Sequence, residues 1–206
     1  KTSAIASSFS TAMEKLDAIA VFCGSREGAD PAYAQAAGQL GAEMAARGIG
    51  LVFGGGRIGL MGIIADAVLK GGGHVTGVIP EFLDQMEVSH NEVTELIKVG
   101  SMHARKNTMF SRADAFVILP GGLGTLDECM EIITWKQLRQ HSKPIVVLDV
   151  GGYWRNLMAL VDDVIDAGFA HPKARQLFTS VTSVDEVFSA INEAPEPDRI
   201  VLDSHL

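Results

Sequence analysis

Short apolar and β-branched runs alternate along the chain with longer stretches in which apolar residues recur at helical spacing. Strands are predicted at 18–23 (AIAVFC), 50–53 (GLVF), 74–79 (HVTGVI), 94–99 (TELIKV), 115–119 (AFVIL), 145–148 (IVVL) and around 177–182. Helices are predicted between them, among them 31–48 and 60–72. In 154–168, Leu157, Met158, Val161, Val164 and Ile165 mark one helical face and Gly168 stops the run. Strands that are apolar on both faces and alternate with helices form a mostly parallel sheet covered on both sides. The pattern therefore predicts a doubly wound, Rossmann-like α/β fold with about seven strands. No linker-like shift or solenoid repeat interrupts it, so residues 1–206 read as one nucleotide-binding domain. Residues 1–15 are expected to be a flexible N-terminal segment.

In such folds ligands bind beyond the carboxyl ends of the strands, and glycines gather there. Gly24-Ser25-Arg26 follows the first strand, GGGRIGLMG (54–62) the second, Pro80-Glu81 the third and PGGLGT (120–125) the fifth. Glycine lets a backbone approach a ligand closely, and the first amides of a following helix are free to meet an anion. One such loop is as well explained as a tight βα corner. Several on one rim favour a nucleotide-sized anion. Gly54-x-Gly56-x-x-Gly59 formally matches a dinucleotide fingerprint, with Glu81 as a candidate ribose acid, but it follows the second strand rather than the first. A Walker-type GxxxxGK[ST] is absent, so a P-loop triphosphate site is excluded.

The last of these loops runs straight into Asp127, Glu128 and Glu131. Thr125-Leu126-Asp127-Glu128 has the spacing of a capping box, which would make Glu128 a simple complement to the helix start. Three acids exceed what one cap needs, and Glu128 and Glu131 share a helix face. A nucleoside 5'-monophosphate reconciles glycines with acids: the glycines hold the phosphate and the carboxylates face the sugar. Cleaving its N-glycosidic bond builds oxocarbenium-like charge on the ribose, which a carboxylate stabilises while it activates water. A helix over 101–113, capped by Ser101, carries Arg105 and Lys106 in its early turns against the dipole, which calls for an anionic partner nearby.

Composition narrows the classes further. The 206 residues are 47% hydrophobic and 20% charged, with a formal net charge of −8. Without a basic stripe, such a surface repels nucleic acid. No apolar run reaches the length of a membrane span. Cys23 and Cys129 lie in apolar segments and read as reduced core residues of a cytoplasmic protein. The six histidines show no metal-ligand spacing, so neither metal nor cofactor is expected.

Pro120-Gly121-Gly122-Leu123-Gly124-Thr125-Leu126-Asp127-Glu128, preceded by Met102-His103-Ala104-Arg105-Lys106, resembles the Lonely Guy (LOG) family of cytokinin-activating phosphoribohydrolases, which carries P-G-G-x-G-T-x-x-E and M-x-x-R-K motifs. The likeness runs from about Ile19 to Ile191 and includes VFCGS (21–25), VFGGG (52–56), WKQL (135–138) and HSKP (141–144). It implies that Arg105 and Glu128 are the catalytic pair. It also implies that Ser25, Gly54, Gly55, Gly56, Met102, Lys106, Gly121, Gly122, Gly124 and Thr125 bind the nucleotide; Glu131 is placed with them as a sugar-facing acid. A homodimer with sites near the interface follows from the same resemblance, and a stripe of Met130, Ile133 and Trp135 is a candidate contact. Phe53 and Arg26 stand where relatives often carry Tyr and Ser. The label of lysine decarboxylase, often given to this family, finds no support, because a pyridoxal enzyme needs a Schiff-base lysine and a pyridinium partner.

The expected activity is hydrolysis of adenosine 5'-monophosphate or its N6-prenylated form to free base and ribose 5-phosphate. The alternative is a nucleotide-binding or molybdenum-cofactor carrier of the same fold, which has no need for Arg105 and Glu128. A dinucleotide oxidoreductase built on Gly54 to Gly59 is a weaker third reading.

Overall fold

The computed structural model describes residues 16–86 and 88–195; the expected N-terminal segment, 1–15, lies outside them. Seven strands form one sheet: β1 (Ala18–Phe22), β2 (Gly50–Phe53), β3 (Val75–Pro80), β4 (Glu95–Val99), β5 (Ala115–Ile118), β6 (Ile145–Leu148) and β7 (Thr179–Val181). The order is β4-β3-β2-β1-β5-β6-β7 and every pairing is parallel. The helices are α1 (Pro31–Ala46), α2 (Gly59–Lys70), α3 (Glu81–Asp84), α4 (Met102–Ser111), α5 (Leu123–Gln137), α6 (Arg155–Asp166) and α7 (Val187–Asn192). The predicted doubly wound fold is the observed one, and each predicted strand is present to within about two residues.

The central strands β2, β1, β5 and β6 are apolar because alternate residues serve two cores. In β1, Ile19 and Val21 join Leu40 and Met44 of α1, Ile64 of α2 and Phe188 of α7 on one face. Ala20 and Phe22 join Met109 of α4 and Cys129, Ile132 and Ile133 of α5 on the other. Both cysteines are free and buried. On α6, Leu157, Met158, Val161 and Ile165 pack partly buried against this second core, whereas Val164 of the predicted face is 38% exposed. Local capping supports several starts. Asp30 accepts from Ala32 N at 2.9 Å with Pro31 in the first turn of α1, and Ser101 accepts from Ala104 N at 3.1 Å at the start of α4, as predicted.

The order of strands reverses between β1 and β5, which opens a crevice at their carboxyl ends. Three backbone bonds hold its walls. Leu119 N donates to Phe22 O at 2.9 Å, Gly24 N to Pro120 O at 3.0 Å, and Leu60 N, from α2, to Gly24 O at 3.1 Å. The last brings the start of α2 so close to the loop after β1 that a Cβ on Gly59 would lie 2.6 Å from the Ser25 carbonyl oxygen, and Gly59 has φ +64°. That glycine is thus explained by packing within the chain rather than by a dinucleotide.

Gly59→Ala should therefore destabilise the protein by at least about 2 kcal/mol in urea denaturation, because a side chain there meets both left-handed backbone strain and the Ser25 backbone. A loss below about 0.5 kcal/mol would show that the two loops are not locked together.

Candidate active site

A cavity of about 430 Å³ opens at the carboxyl ends of β1, β2, β3 and β5. Its floor includes Phe22 and Cys23. One wall is the start of α5, from Gly122 to Thr125 with Asp127 and Glu128; the other combines Gly54, Gly56, Met102 and Arg105. Ser25 lies on its edge and also lines the neighbouring 370 Å³ cavity with Gly121, Gly122 and Tyr153.

Arg105 comes from the second turn of α4 and is 8% exposed. A buried guanidinium must find acceptors, and it takes two backbone carbonyls, one within β3 and one just past β2. Its Nε donates to Val78 O at 3.1 Å and its Nη2 to Gly54 O at 2.9 Å. This fixes the identity of residue 54, since a Cβ there would overlap the guanidinium. Gly54 thus makes room for Arg105. Gly55 is also shaped by the chain: its carbonyl accepts from His90 N at 2.8 Å, and a Cβ on it would crowd Ile79 at 3.1 Å.

The remaining terminal nitrogen of Arg105, Nη1, stands 3.9 Å from Glu128 Oε1. At that distance the pair attracts without a hydrogen bond. Glu128 is 8% exposed, and burial pushes its carboxyl from 4.5 up to about 7 against the opposing pull of Arg105. Asp127 pushes the same way as burial, and Lys106 the other way. The thiol of Cys23, buried beside this pair, is raised far above its ordinary range by burial first and Glu128 second, which makes it inert as a nucleophile.

The other two acids are occupied elsewhere. Lys106 Nζ bridges Asp127 Oδ2 and Glu131 Oε2, both at 3.0 Å. Burial lowers the Lys106 pKa, but Glu131 and Asp127 outweigh it and raise the value overall. Lys106 and Glu131 do not line the large cavity, so the picture of three carboxylates facing a sugar reduces to Glu128, with Asp127 on the rim. Glu81, the candidate ribose acid, is exposed at the start of α3 and outside the lining.

The capping box at Thr125 does not form. α5 starts two residues earlier, at Leu123 with Gly122 as its N-cap and no side-chain cap bond. Thr125 is 3% exposed and tucked beneath Gly121, where a Cβ on that glycine would meet its hydroxyl. Glu128 therefore lies in the second turn, too far along to reach back to the N-cap. Gly122 and Gly124 differ from Gly54, Gly55, Gly56, Gly59 and Gly121 of the same rim: a Cβ on either would meet nothing within 4 Å. Nothing within the chain demands glycine there. Both face open space beside the first-turn amides of α5, which lack intrahelical acceptors.

The apolar roof was not visible in the sequence. Ile58, Leu83 and Val88 complete the cavity, and Val88 is carried there because Arg57 N donates to Val88 O at 2.9 Å while Gly56 and Ser89 form a bridge. Such long-range pairing leaves no local signal. Tyr153, whose hydroxyl donates to Gly121 O at 2.5 Å, was missed as well; the only hint was the double glycine before it. The Met130, Ile133 and Trp135 stripe divides, with Ile133 in the core and Met130 43% exposed. Among the described residues no group of three His, Cys, Asp or Glu side chains is placed to hold a metal ion.

Comparison with known proteins adds the family. A family model described as possible lysine decarboxylase matches residues 61–191. The chain is 46% identical over 183 residues to the cytokinin riboside 5'-monophosphate phosphoribohydrolase LOG7 of Arabidopsis thaliana, covering 88% of this chain and 84% of that one. It is 49% identical over 175 residues to the probable cytokinin riboside 5'-monophosphate phosphoribohydrolase LOGL9 of Oryza sativa subsp. japonica, covering 85% and 77%. Among solved structures, the molybdenum cofactor carrier protein of Chlamydomonas reinhardtii superposes with a TM-score of 0.65 at 23% identity, covering 87% of this chain and 98% of that one. The molybdenum cofactor binding protein of Rippkaea orientalis does so with 0.64 at 24%, covering 86% and 96%. At such identities the likeness speaks to the fold alone. Sequence identity near one half across most of both chains decides the assignment: the chain belongs to the Lonely Guy (LOG) family, within the larger group that the decarboxylase description covers.

Proposed function

We propose that the protein is a phosphoribohydrolase that cleaves the N-glycosidic bond of a nucleoside 5'-monophosphate, adenosine 5'-monophosphate or its N6-prenylated form, to free base and ribose 5-phosphate. One observation carries the reading. Glu128 is a buried carboxyl with a pKa of about 7, loosely opposed to Arg105, in a cavity that also holds the start of α5. The activity in the names of the LOG relatives supports it.

In this reading the phosphate meets the amides from Gly122 to Thr125, with Gly122 and Gly124 leaving room for it and Ser25 at the edge. The base lies under the apolar roof, against Ile58, Leu83 and Met102. Water attacks the anomeric carbon as its bond to the base nitrogen breaks. Glu128 takes the water's proton and returns it to the departing base, while the developing positive charge on the ribose is stabilised by the ionised carboxylate. Arg105, fixed by two carbonyls, orients Glu128 and the substrate. Lys106 and Glu131 serve one step removed, by fixing α4 against α5 and neutralising the acids around Glu128.

The decarboxylase description implies pyridoxal phosphate, and the residues do not fit it. No lysine lines the cavity, and the amine nearest in sequence to Arg105, Lys106, is tied to two carboxylates that keep it protonated. We further propose a homodimer in the cytoplasm. The outer face of α5, where Leu126, Met130, Thr134 and Trp135 line a groove beside the exposed Leu123, supports the dimer, and two free cysteines support the compartment.

Purified protein should release adenine from adenosine 5'-monophosphate without added metal and resist a chelator, but act hardly at all on adenosine, since phosphate binding assists the chemistry. Equal rates on the two would sink the proposal. Light scattering at micromolar concentration should give twice the chain mass of 21.9 kDa; a monomer would remove the dimer. Glu128→Gln should lower turnover by about a hundred- to ten-thousand-fold with nucleotide still bound, and in the unmutated protein kcat should rise with pH toward a plateau above about 7. The folded-state pKa lies above the ordinary 4.5, so the neutral carboxyl's contribution is full at low pH and lost as pH climbs to about 7. Glu128→Gln should accordingly be more stable than the unmutated protein at pH 8, by on the order of 3 kcal/mol, and converge with it near pH 4.5. Identical melting at both pH values, with turnover retained, would return Glu128 to a structural role.

A further inference from the structure

We propose that Tyr153, outside both sequence motifs, is a positioning residue for the phosphate-facing loop: by holding the Gly121 carbonyl on the far side of the loop it turns the Gly122 amide toward the substrate. The inference rests on the nucleotide-hydrolase reading and names the residue on which its phosphate preference depends.

The route begins beyond β6. Gly151 and Gly152 stand at φ +63° and +77°, a left-handed pair that only glycine adopts without strain, and Trp154 N closes the turn on Asp149 Oδ1 at 2.6 Å. This reversal delivers Tyr153 back over the end of the sheet. Its ring stands edge-on to Tyr33 of α1, with centroids 5.4 Å apart, and to Trp154 at 4.8 Å. The ring is therefore held from two sides while the hydroxyl donates to Gly121 O at 2.5 Å.

Gly121 O belongs to the peptide that joins Gly121 to Gly122. That peptide is planar and trans, so its carbonyl and its N–H point in opposite directions. Tyr153 and Gly121 line the smaller cavity, on one side of the loop; Gly122 lines both cavities, and Leu123, Gly124 and Thr125 line the larger one. A carbonyl anchored toward the smaller cavity leaves its N–H aimed at the larger one. A glycine peptide is otherwise free to flip, because neither Gly121 nor Gly122 has a side chain to bias it. In the flipped state a carbonyl oxygen would face the phosphate, replacing attraction by repulsion. The loop after β1 holds the preceding peptide through Gly24 N to Pro120 O at 3.0 Å, so two successive peptides of the loop are anchored, one from the loop after β1 and one from the loop after β6.

The test is Tyr153→Phe, which keeps both ring contacts and removes only the hydroxyl. The expected result is a KM for adenosine 5'-monophosphate raised about tenfold with kcat within about twofold. The residual rate on adenosine, which has no phosphate to place, should be unchanged, as should the thermal midpoint and the pH profile. No change on the nucleotide overturns the proposal. An equal loss on nucleotide and nucleoside overturns it too, because it would mark a general structural role, and so would a fall in kcat alone. Calorimetric titration with adenosine 5'-monophosphate separates this inference from the reaction it rests on. If the unmutated protein binds the nucleotide but releases no base, the hydrolase reading fails, while a tenfold weaker Kd in Tyr153→Phe still upholds the loop assignment. If the two proteins bind nucleotide equally, or neither binds it, the assignment fails.

Discussion

The site depends on how a guanidinium can be buried at the end of a parallel sheet. Arg105 takes two backbone carbonyls there, Val78 O within β3 and Gly54 O just past β2. Much follows from that choice. Residue 54 must be glycine to admit the guanidinium, α4 must run close over β3, and one terminal nitrogen is left turned toward α5. The cost of desolvating a cation is offset by hydrogen bonds to neutral carbonyls rather than by a carboxylate. Glu128 is therefore spared from acting as a full counter-ion, and burial, outweighing the pull of Arg105, raises its carboxyl to about 7.

The same economy orders the other charges. Asp127, Glu128 and Glu131 sit within one and a half turns of α5, and three uncompensated acids there would repel both each other and any phosphate. Lys106 removes two of them from contention. An anionic ligand at the start of the helix then faces backbone amides and one carboxyl whose charge is only half developed near pH 7. Acids and glycines can thus adjoin because, of the two acids that line the cavity, Asp127 is paired with Lys106 and burial holds Glu128 close to neutral.

The architecture was legible because buried parallel strands leave a strong local mark: runs such as IVVL at 145–148 serve two cores and tolerate no polar residue. Ser101 was legible as a cap for the same local reason. The capping box that Thr-x-x-Glu offers locally at Thr125, weighed as an alternative, does not form, because the helix starts two residues earlier and Thr125 is buried under Gly121. The one capping box that forms among the described residues, Ser183 with Glu186, lies far from the site and went unnoticed. Glycines were the hardest to sort. Gly54 is set by a side chain fifty-one positions away and Gly59 by the Ser25 backbone, whereas Gly122 and Gly124 face open space. Sequence shows four glycines; only packing separates those the fold requires from those it leaves free for a ligand. Tyr153 and Val88 reach the site through pairings too distant to leave a periodic trace.

Burial, with Arg105 held off at 3.9 Å, keeps the Glu128 carboxyl half-ionised near neutral pH. Carbon-13 NMR of side-chain carboxyl groups, with Glu128 assigned by its loss in Glu128→Gln, measures this without reference to any substrate. A titration midpoint near 7 is the expected result for the ligand-free protein, and opening the roof by Leu83→Ala should lower it, because water then reaches the carboxyl. A midpoint near the ordinary 4.5 would contradict the account, leaving Glu128 a fully ionised partner of Arg105 and the cavity without its proton acceptor of matched strength.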